Sequence, residues 1–476
     1  MRKIIRKPWP AIPVIAFFFV LLIGNIFTSA KLDLFLNQEA RAESLPYTSV
    51  ITPNGSTLPW KWENSKKVFQ LTAEVCKHEI APGMVINAWC YNGQTPGPTI
   101  EAVEGDQVRI LVMNKLPEAT AVHWHGIFLP SGMDGVQGLT QRGIPPGDTF
   151  AYEFTLKQHG TFMYHSHGDE MVQMGLGTMG FFIIHPKNPD HKIDRDFAIF
   201  LNEWYVDPGT ATPNPNIMTD FNIFTFNSRA YPGTAPLVAK TGDHVRIRIG
   251  NVGQESHPIH IHGHNFHVVA TDGGDIPESA QWPETTVLVA PGQTRDIEFI
   301  AKAGDWALHC HRRHHPMNAM GHDIPNVIGV SQKGLEEKVQ TLVPGYMAMG
   351  ENGMSEHAEH AEHMQGPPNT LSMMGGEGPF GSVGMGGMFT VLKVRDEIKD
   401  YNDPGWYPNP PGTVAESINR GEASSAADEN SGVIYVCPMH PSVRQQKPGK
   451  CSICGMILKP EMPREEVSTK ISGEGK

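Results

Sequence analysis

From Lys67 onward, short apolar stretches alternate with polar positions and are cut at intervals by Gly and Pro turns. Strict alternation marks a strand with one face in a core and the other in water. Val245, Ile247 and Ile249 interleave with His244, Arg246 and Arg248 in this way, and Gln107 to Leu116 reads as another strand. Gln94-Thr95-Pro96-Gly97-Pro98 and Pro145-Pro146-Gly147-Asp148 carry turn residues. Residues 46–66 show no regular pattern. The chain therefore reads as all-β.

The strands come in two matching series. Gly105-Asp106-Gln107-Val108-Arg109-Ile110 returns as Gly242-Asp243-His244-Val245-Arg246-Ile247. At the same offset Asn114 answers Asn251, and His123-Trp124-His125-Gly126 answers His260-Ile261-His262-Gly263. Further on, Pro146-Gly147 through His165-Ser166-His167 matches Pro291-Gly292 through His309-Cys310-His311. Two copies of one sandwich are the simplest account. The copies differ together at four places: Thr120 stands against His257, Ser166 against Cys310, Met171 against His315 and Leu176 against Met320.

Those second-copy residues form a chemical set. A cysteine thiolate, an imidazole five residues on, a thioether ten residues on and the imidazole of His257 suit a blue-copper centre. Such centres take two His, one Cys and a weak axial Met. Neighbouring side chains on a strand point to opposite faces. Cys310 can therefore hold one copper while His309 and His311 reach another metal group, a short covalent route for electrons. Only the second copy should carry the blue centre, while both should lend paired histidines to a shared site.

Composition narrows the classes. Gly and Pro, 49 and 39 residues, suit a turn-rich β protein with some linkers, and the length accommodates two to four domains. The net charge of −12, with no basic patch, excludes a nucleic-acid partner. The excess of His and Met, 23 and 22 residues, is more telling, because both side chains bind copper. Met1-Arg2-Lys3 and the apolar run from Ala11 to Gly24 make an export signal, cleaved after Ala30 or Ala42, or kept as a membrane anchor. Cys76 and Cys90 form either a disulfide or two buried free thiols.

Two later stretches stand apart. An insertion over about 335–387 carries Met347, Met349, Met354, Met364, Met373, Met374 and Met385 with His357, His360 and His363. It reads as a loop gathering Cu(I), for which thioethers are suited, or as a Gly-rich disordered insert. Residues 401–432, rich in Pro, Ser, Ala, Asn and Glu, read as a linker.

The four histidine motifs, in this order, resemble those of the multicopper oxidases, a family that includes laccases and cuprous oxidases; the resemblance covers roughly residues 65–335. It implies two cupredoxin-like Greek-key β-sandwich domains, over 46–190 and 191–400, and about four coppers per chain. By this resemblance His123 and His260 hold a type 2 copper. His125, His165, His167, His262, His309 and His311 hold a type 3 pair, and His257, Cys310, His315 and Met320 the type 1 centre. Met385 and Met388 are alternatives to Met320, because a final strand normally follows the axial ligand at once and here a second candidate strand begins only at Met388. Asp134 resembles the family acid that helps deliver protons near the type 2 copper, with an Asx turn before Gly135 as the plainer reading.

Only 89 residues separate His167 from His257, too few for a complete middle domain. The sequence thus resembles two-domain members, whose copper cluster lies between domain one of one subunit and domain two of its neighbour. A closed homotrimer is the implied assembly. The implied reaction couples one-electron oxidation of a substrate, met at exposed His257 or His315, to four-electron reduction of O2 to water. The implied substrate is Cu(I) or another metal ion, in copper tolerance in the periplasm or cell envelope. A laccase-like oxidase of phenols or amines and a non-catalytic copper store are the alternatives. A copper nitrite reductase needs only three catalytic histidines, against eight paired ones here.

The tail, Tyr435-Val436-Cys437-Pro438-Met439-His440-Pro441 followed by Cys451-Ser452-Ile453-Cys454-Gly455-Met456, resembles a small heavy-metal-binding domain attached to copper pumps and efflux adaptors, over about 433–462. Cys437, His440, Cys451 and Cys454 can close a tetrahedral site for zinc or a soft metal, with a structural zinc knuckle as the alternative.

Overall fold

The computed structural model describes residues 47–207, 209–316, 375–416 and 434–460, with isolated positions at 334, 337–338, 341, 369 and 371. Residues 1–46, Met320 and the methionines and histidines of the insertion other than Met385 lie outside the described residues. Among the described residues no helix is long and apolar enough to cross a membrane.

Two β-sandwiches follow one another, as the repeat requires. The first faces a sheet of Gly97–Val103, Met179–His185, Gly160–Ser166 and Val122–His125 against one containing Lys66–Ala81, Gln107–Asn114 and Thr149–Thr155. Phe69, Ile110, Trp124, Phe162 and Phe182 fill the space between them. The second faces Leu237–Lys240, Phe389–Arg395, Gly304–Cys310, His257–Ile261 and Thr286–Val289 against a larger sheet built on Arg195–Trp204, His244–Asn251, Thr294–Ile300 and Phe266–Thr271. Ile247, Ile249, Ile259, Ile297 and Leu308 pack there, together with Cys310.

Strand order shows the duplication directly. Phe389–Arg395 lies between Leu237–Lys240 and Gly304–Cys310, as Met179–His185 lies between Gly97–Val103 and Gly160–Ser166. In sequence, the insertion therefore separates the cysteine strand from the last strand of its own sandwich. Residues 376–378 and 381–383 of that stretch pair as a short hairpin.

The run Phe181-Phe182-Ile183-Ile184 breaks the alternation because both faces of its strand are covered. Phe182 and Ile184 enter the first core, while Phe181 and Ile183 meet Ala198, Phe200 and Trp204 of the second sandwich. A buried network adds polar ties across this boundary: Thr161 donates to Asp296 at 2.8 Å, and Arg248 donates to Thr161 and to both Asp196 oxygens.

The expected linker begins later than the composition suggests. Lys393 pairs with Asp403, Arg395 donates to the Gly405 carbonyl, and the Tyr407 amide donates to Asp305. Residues 401–407 are thus held by charged side chains on the last strand, and a second compact unit runs from Pro408 to Lys476. In it Tyr435–Val436 pairs with Arg444–Gln445 and Lys459–Pro460. Cys76 and Cys90 are joined, with Cα atoms 6.0 Å apart.

Trp124 is fully buried between His123 and His125 and meets Tyr152 edge-on at 5.2 Å. Trp124→Ala is expected to cost about 3–5 kcal/mol through lost burial and the cavity left behind. Urea unfolding of the two proteins measures this.

Candidate metal centre

Three donor atoms converge inside the second sandwich. Cys310 ends its strand, His257 begins the neighbouring one, and His315 follows in the turn after Cys310. The Cys310 Sγ lies 3.3 Å from His315 Nδ1 and 3.8 Å from His257 Nδ1, and the two Nδ1 atoms are 3.0 Å apart. The opposite ring nitrogens are held by carboxylates: His257 Nε2 by Glu203, and His315 Nε2 by Glu255 at 3.1 Å. Such outer partners fix which nitrogen faces a metal and how the ring is turned. Burial pushes the Cys310 thiol up to about 12, so a cation must displace its proton.

Both imidazoles are fully buried, so the expectation of an exposed histidine meeting substrate is corrected. Phe224 stacks on His315 at 4.0 Å, and Glu203 and Glu255 occupy the outward nitrogens. Strand alternation gives the face on which a side chain lies, but not what later packs over it.

Met388 stands opposite Cys310. The Cys310 amide donates to the Met388 carbonyl at 3.1 Å, and the Met388 amide donates to the His315 carbonyl at 3.1 Å. Directly paired residues project from the same sheet face, and Met388 is fully buried in the core cluster that contains Cys310. Gly387 permits this approach: its φ is +56°, and a Cβ there would lie 2.1 Å from the His315 carbonyl oxygen. Met385 is half-buried and packs instead in the small cluster around Tyr231 and Phe389.

The paired histidines form two quartets. In the first, His123 lies opposite His165 in the sheet, and the His123 ring is 5.7, 5.3 and 5.5 Å from those of His125, His165 and His167. In the second, His260 lies opposite His309 and is 4.9, 5.7 and 5.5 Å from His262, His309 and His311. The same bond recurs in both copies, from His165 Nδ1 to the Ser166 carbonyl and from His309 Nδ1 to the Cys310 carbonyl. Burial holds His165 at about 3 and keeps His125, His262 and His309 below the usual imidazole value. These rings are therefore neutral at ordinary pH, as metal ligands must be.

Among the described residues no hydrogen bond or ring contact joins the two quartets. In the first copy the place of the sulfur is taken by a polar plug. The buried Gln173 side chain accepts from Thr120 at 2.7 Å and from Ser166. Met171, which answers His315, is exposed there.

Two multicopper oxidase family signatures match residues 74–189 and 207–328, and a heavy metal binding domain signature matches 434–461. The chain belongs to the multicopper oxidases. Among solved structures it is similar to a blue copper oxidase from Nitrosomonas europaea, at 25% identity and a TM-score of 0.52, over 72% of this chain and 91% of that one. The two sandwiches are accordingly cupredoxin-like.

Among curated relatives, Copper resistance protein A of Escherichia coli is 45% identical over 24% of this chain and 18% of its own length. Laccase-2 of Botryotinia fuckeliana is 32% identical over 57% and 53%. A probable nitrite reductase-hydroxylamine oxidoreductase fusion protein of Kuenenia stuttgartiensis is 30% identical over 53% and 30%. The chain thus spans between 18% and 53% of the length of these relatives.

In this multicopper oxidase the Asp134 carboxylate lies 3.5 Å from His123 Nδ1, and the Asp134 carbonyl accepts from the same nitrogen at 2.8 Å. The loop can sit so close only because Gly135, at φ +86°, lacks a Cβ, which would fall 1.8 Å from the Val122 carbonyl oxygen. In the tail, Cys437, His440, Cys451 and Cys454 bring their donor atoms within 4.8 Å of one another. Burial raises the Cys451 thiol, but the Cys454 and Ile453 amides outweigh it and hold it at about 6. Sequence reading missed Glu203, Glu255 and Gln173. Glu255, two residues before His257, carried a faint signal, whereas Glu203 carried none.

Because the sulfur must lose a proton on binding copper, affinity at the Cys310 pocket is expected to rise about tenfold per pH unit between about 6 and 8. Titration against a copper-binding chelator, followed by the blue absorbance and with Cys310→Ser as the blank, measures the slope; a flat profile contradicts the assignment.

Proposed function

We propose that this chain oxidises Cu(I), one electron at a time, and passes the electrons to O2. The observation that carries the substrate is a cavity of about 340 Å³ lined by Met171, Met174 and Met218 with Glu170 and Glu203. Thioethers are soft ligands suited to Cu(I). Glu203 links this cavity to the centre, since its carboxylate also holds His257 Nε2. A cation seated among the methionines would be one side chain away from a ligand of the type 1 copper.

The residues fit the resident metals. His257, Cys310 and His315, with Met388 as the axial thioether, would hold the type 1 copper. His123 and His260 would hold the type 2 copper, and His125, His165, His167, His262, His309 and His311 the type 3 pair. Bound copper would supply one-electron transfer at the sulfur and four-electron reduction of O2 at the cluster. The register of the Cys310 strand keeps the sulfur on one face and His309 and His311 on the other. Asp134, 3.5 Å from His123 Nδ1, would hold a proton for that reaction. The tail cysteines and His440 would bind zinc or a soft metal. The basic and apolar N-terminus supports export to the periplasm or cell envelope.

The absence of a hydrogen bond or ring contact between the quartets among the described residues supports a homotrimer in which each cluster is closed by two subunits, since a heterologous interface must close into a ring. Eight imidazoles exceed what a nitrite-reducing copper needs, which weighs against that reading of the Kuenenia relative's name.

Oxygen uptake with Cu(I) and with a phenol tests the substrate. Leucine at positions 171, 174 and 218 together should cut Cu(I) turnover at least about tenfold, the scale of one lost weak ligand contact, and leave phenol turnover unchanged. Phenol turnover far above that of Cu(I) in the native protein would instead make it laccase-like. Co-expression tests the assembly: His125→Asn and His309→Asn chains, each inactive alone, should regain about a quarter of native activity when mixed in closed trimers. No recovery would place both quartets of each cluster in one chain.

A further inference from the structure

A separate group of ligand atoms lies on the outer face of the second sandwich. His244 opens the strand His244–Asn251, and Glu298 lies on Thr294–Ile300 beside it. His191 belongs to the connector between Met179–His185 and Arg195–Trp204. The Nε2 atoms of His191 and His244 each lie 2.9 Å from Glu298 Oε2, and the two rings stack at 5.0 Å with planes 16° apart. The other carboxylate oxygen is held by Arg246, through Nε at 2.8 Å and Nη2 at 2.5 Å.

The chemistry of this arrangement is specific. Glu298 is buried, and although burial raises its carboxyl, Arg246 and the two imidazoles outweigh that and keep it below the usual carboxylate value. The ionised group is turned by Arg246 so that one oxygen faces both rings, the way outer partners orient a ligating carboxylate. All three donor atoms lie within 4.8 Å of one another. His267 pairs directly with Glu298 from the opposite strand, so a further imidazole stands on the same sheet face. His191 and Arg246 also border an open cavity of about 600 Å³, which gives a cation a path to the group.

We propose that His191, His244 and Glu298 bind a divalent cation of the Zn(II) or Cu(II) kind, at a site distinct from the copper centres and from the tail. Two imidazoles and one carboxylate leave open positions for water. Occupancy fastens the connector between the sandwiches to the strands of the second. None of the three residues belongs to the proposed electron route, so the site stands or falls independently of the oxidase reading.

Zinc alone is the probe. Full-length copper-loaded protein is equilibrated with Zn(II), and metals are counted per chain in Cys451→Ser/Cys454→Ser protein, which removes the tail's share. Adding His191→Gln and His244→Gln to that background should lower the zinc content by about one equivalent while the blue absorbance and oxygen uptake stay unchanged. Equal zinc in both proteins would overturn the proposal and leave the trio as an ion-paired network. His191→Gln alone, on the half-exposed connector, gives the same reading should the double variant fail to fold.

Discussion

The antiparallel pairing of Gly304–Cys310 with its two neighbours is the constraint on which the rest depends. Ile259 faces Cys310 and His260 faces His309 on one side, and Phe389 faces His309 on the other. A slip of one residue would exchange the faces, sending the sulfur toward the quartet and two imidazoles into an apolar core. Burial of Leu308 and Cys310 on the core side makes that slip costly, because each apolar side chain removed from water contributes about 1.5–3 kcal/mol. Packing and chemistry therefore enforce the same register. The insertion is tolerated for the same reason: the strand Phe389–Arg395 returns to a site already defined by its partner, and loop length adds closure entropy only slowly.

Around the sulfur, the environment is set by what surrounds the ligands. Glu203 and Glu255 reach the two imidazoles from segments distant in sequence, and Phe224 stacks on one ring. Isolated carboxylates in such a place would be costly to bury; here each is hydrogen-bonded to a ring and, for Glu255, to Arg312 as well. The first copy shows what the same scaffold does without the sulfur. Gln173 spans Thr120 and Ser166 and satisfies the polar groups that remain, so a position that could hold metal becomes an ordinary hydrogen-bonded core.

Much of this was legible in the sequence, for identifiable reasons. The all-β class followed from alternation, and the duplication from a constant offset carried through turns, strands and histidines. His-x-His pairs are visible because one strand face must present both rings, and His257 is called for by a centre that needs two histidines and is supported by the difference from its counterpart Thr120. What escaped notice depends on tertiary packing. Glu203 meets His257 across 54 positions of chain, and no local pattern foretells that meeting. The burial of His257 and His315 was missed because alternation does not reveal what covers a face. Residues 401–407 read as linker by composition, yet charged groups on the last strand hold them.

The two quartets share one design. Each is preorganised by backbone bonds to its rings, with His123 held by the Asp134 carbonyl and His260 by the Thr285 carbonyl. Burial lowers the pKa of His165 in one and of His309 in the other, which favours the neutral rings that metal binding needs. Four imidazoles so arranged, and without contact to the other four among the described residues, fit the proposal that each quartet is half of a shared cluster. Within one chain the two sandwiches are fixed against each other by the apolar boundary of Phe181, Ile183, Phe200 and Trp204 and by the Arg248 network, all buried. A second copy that supplied the missing half would leave that boundary as it is. The proposed ring is therefore an arrangement that leaves the described contacts intact.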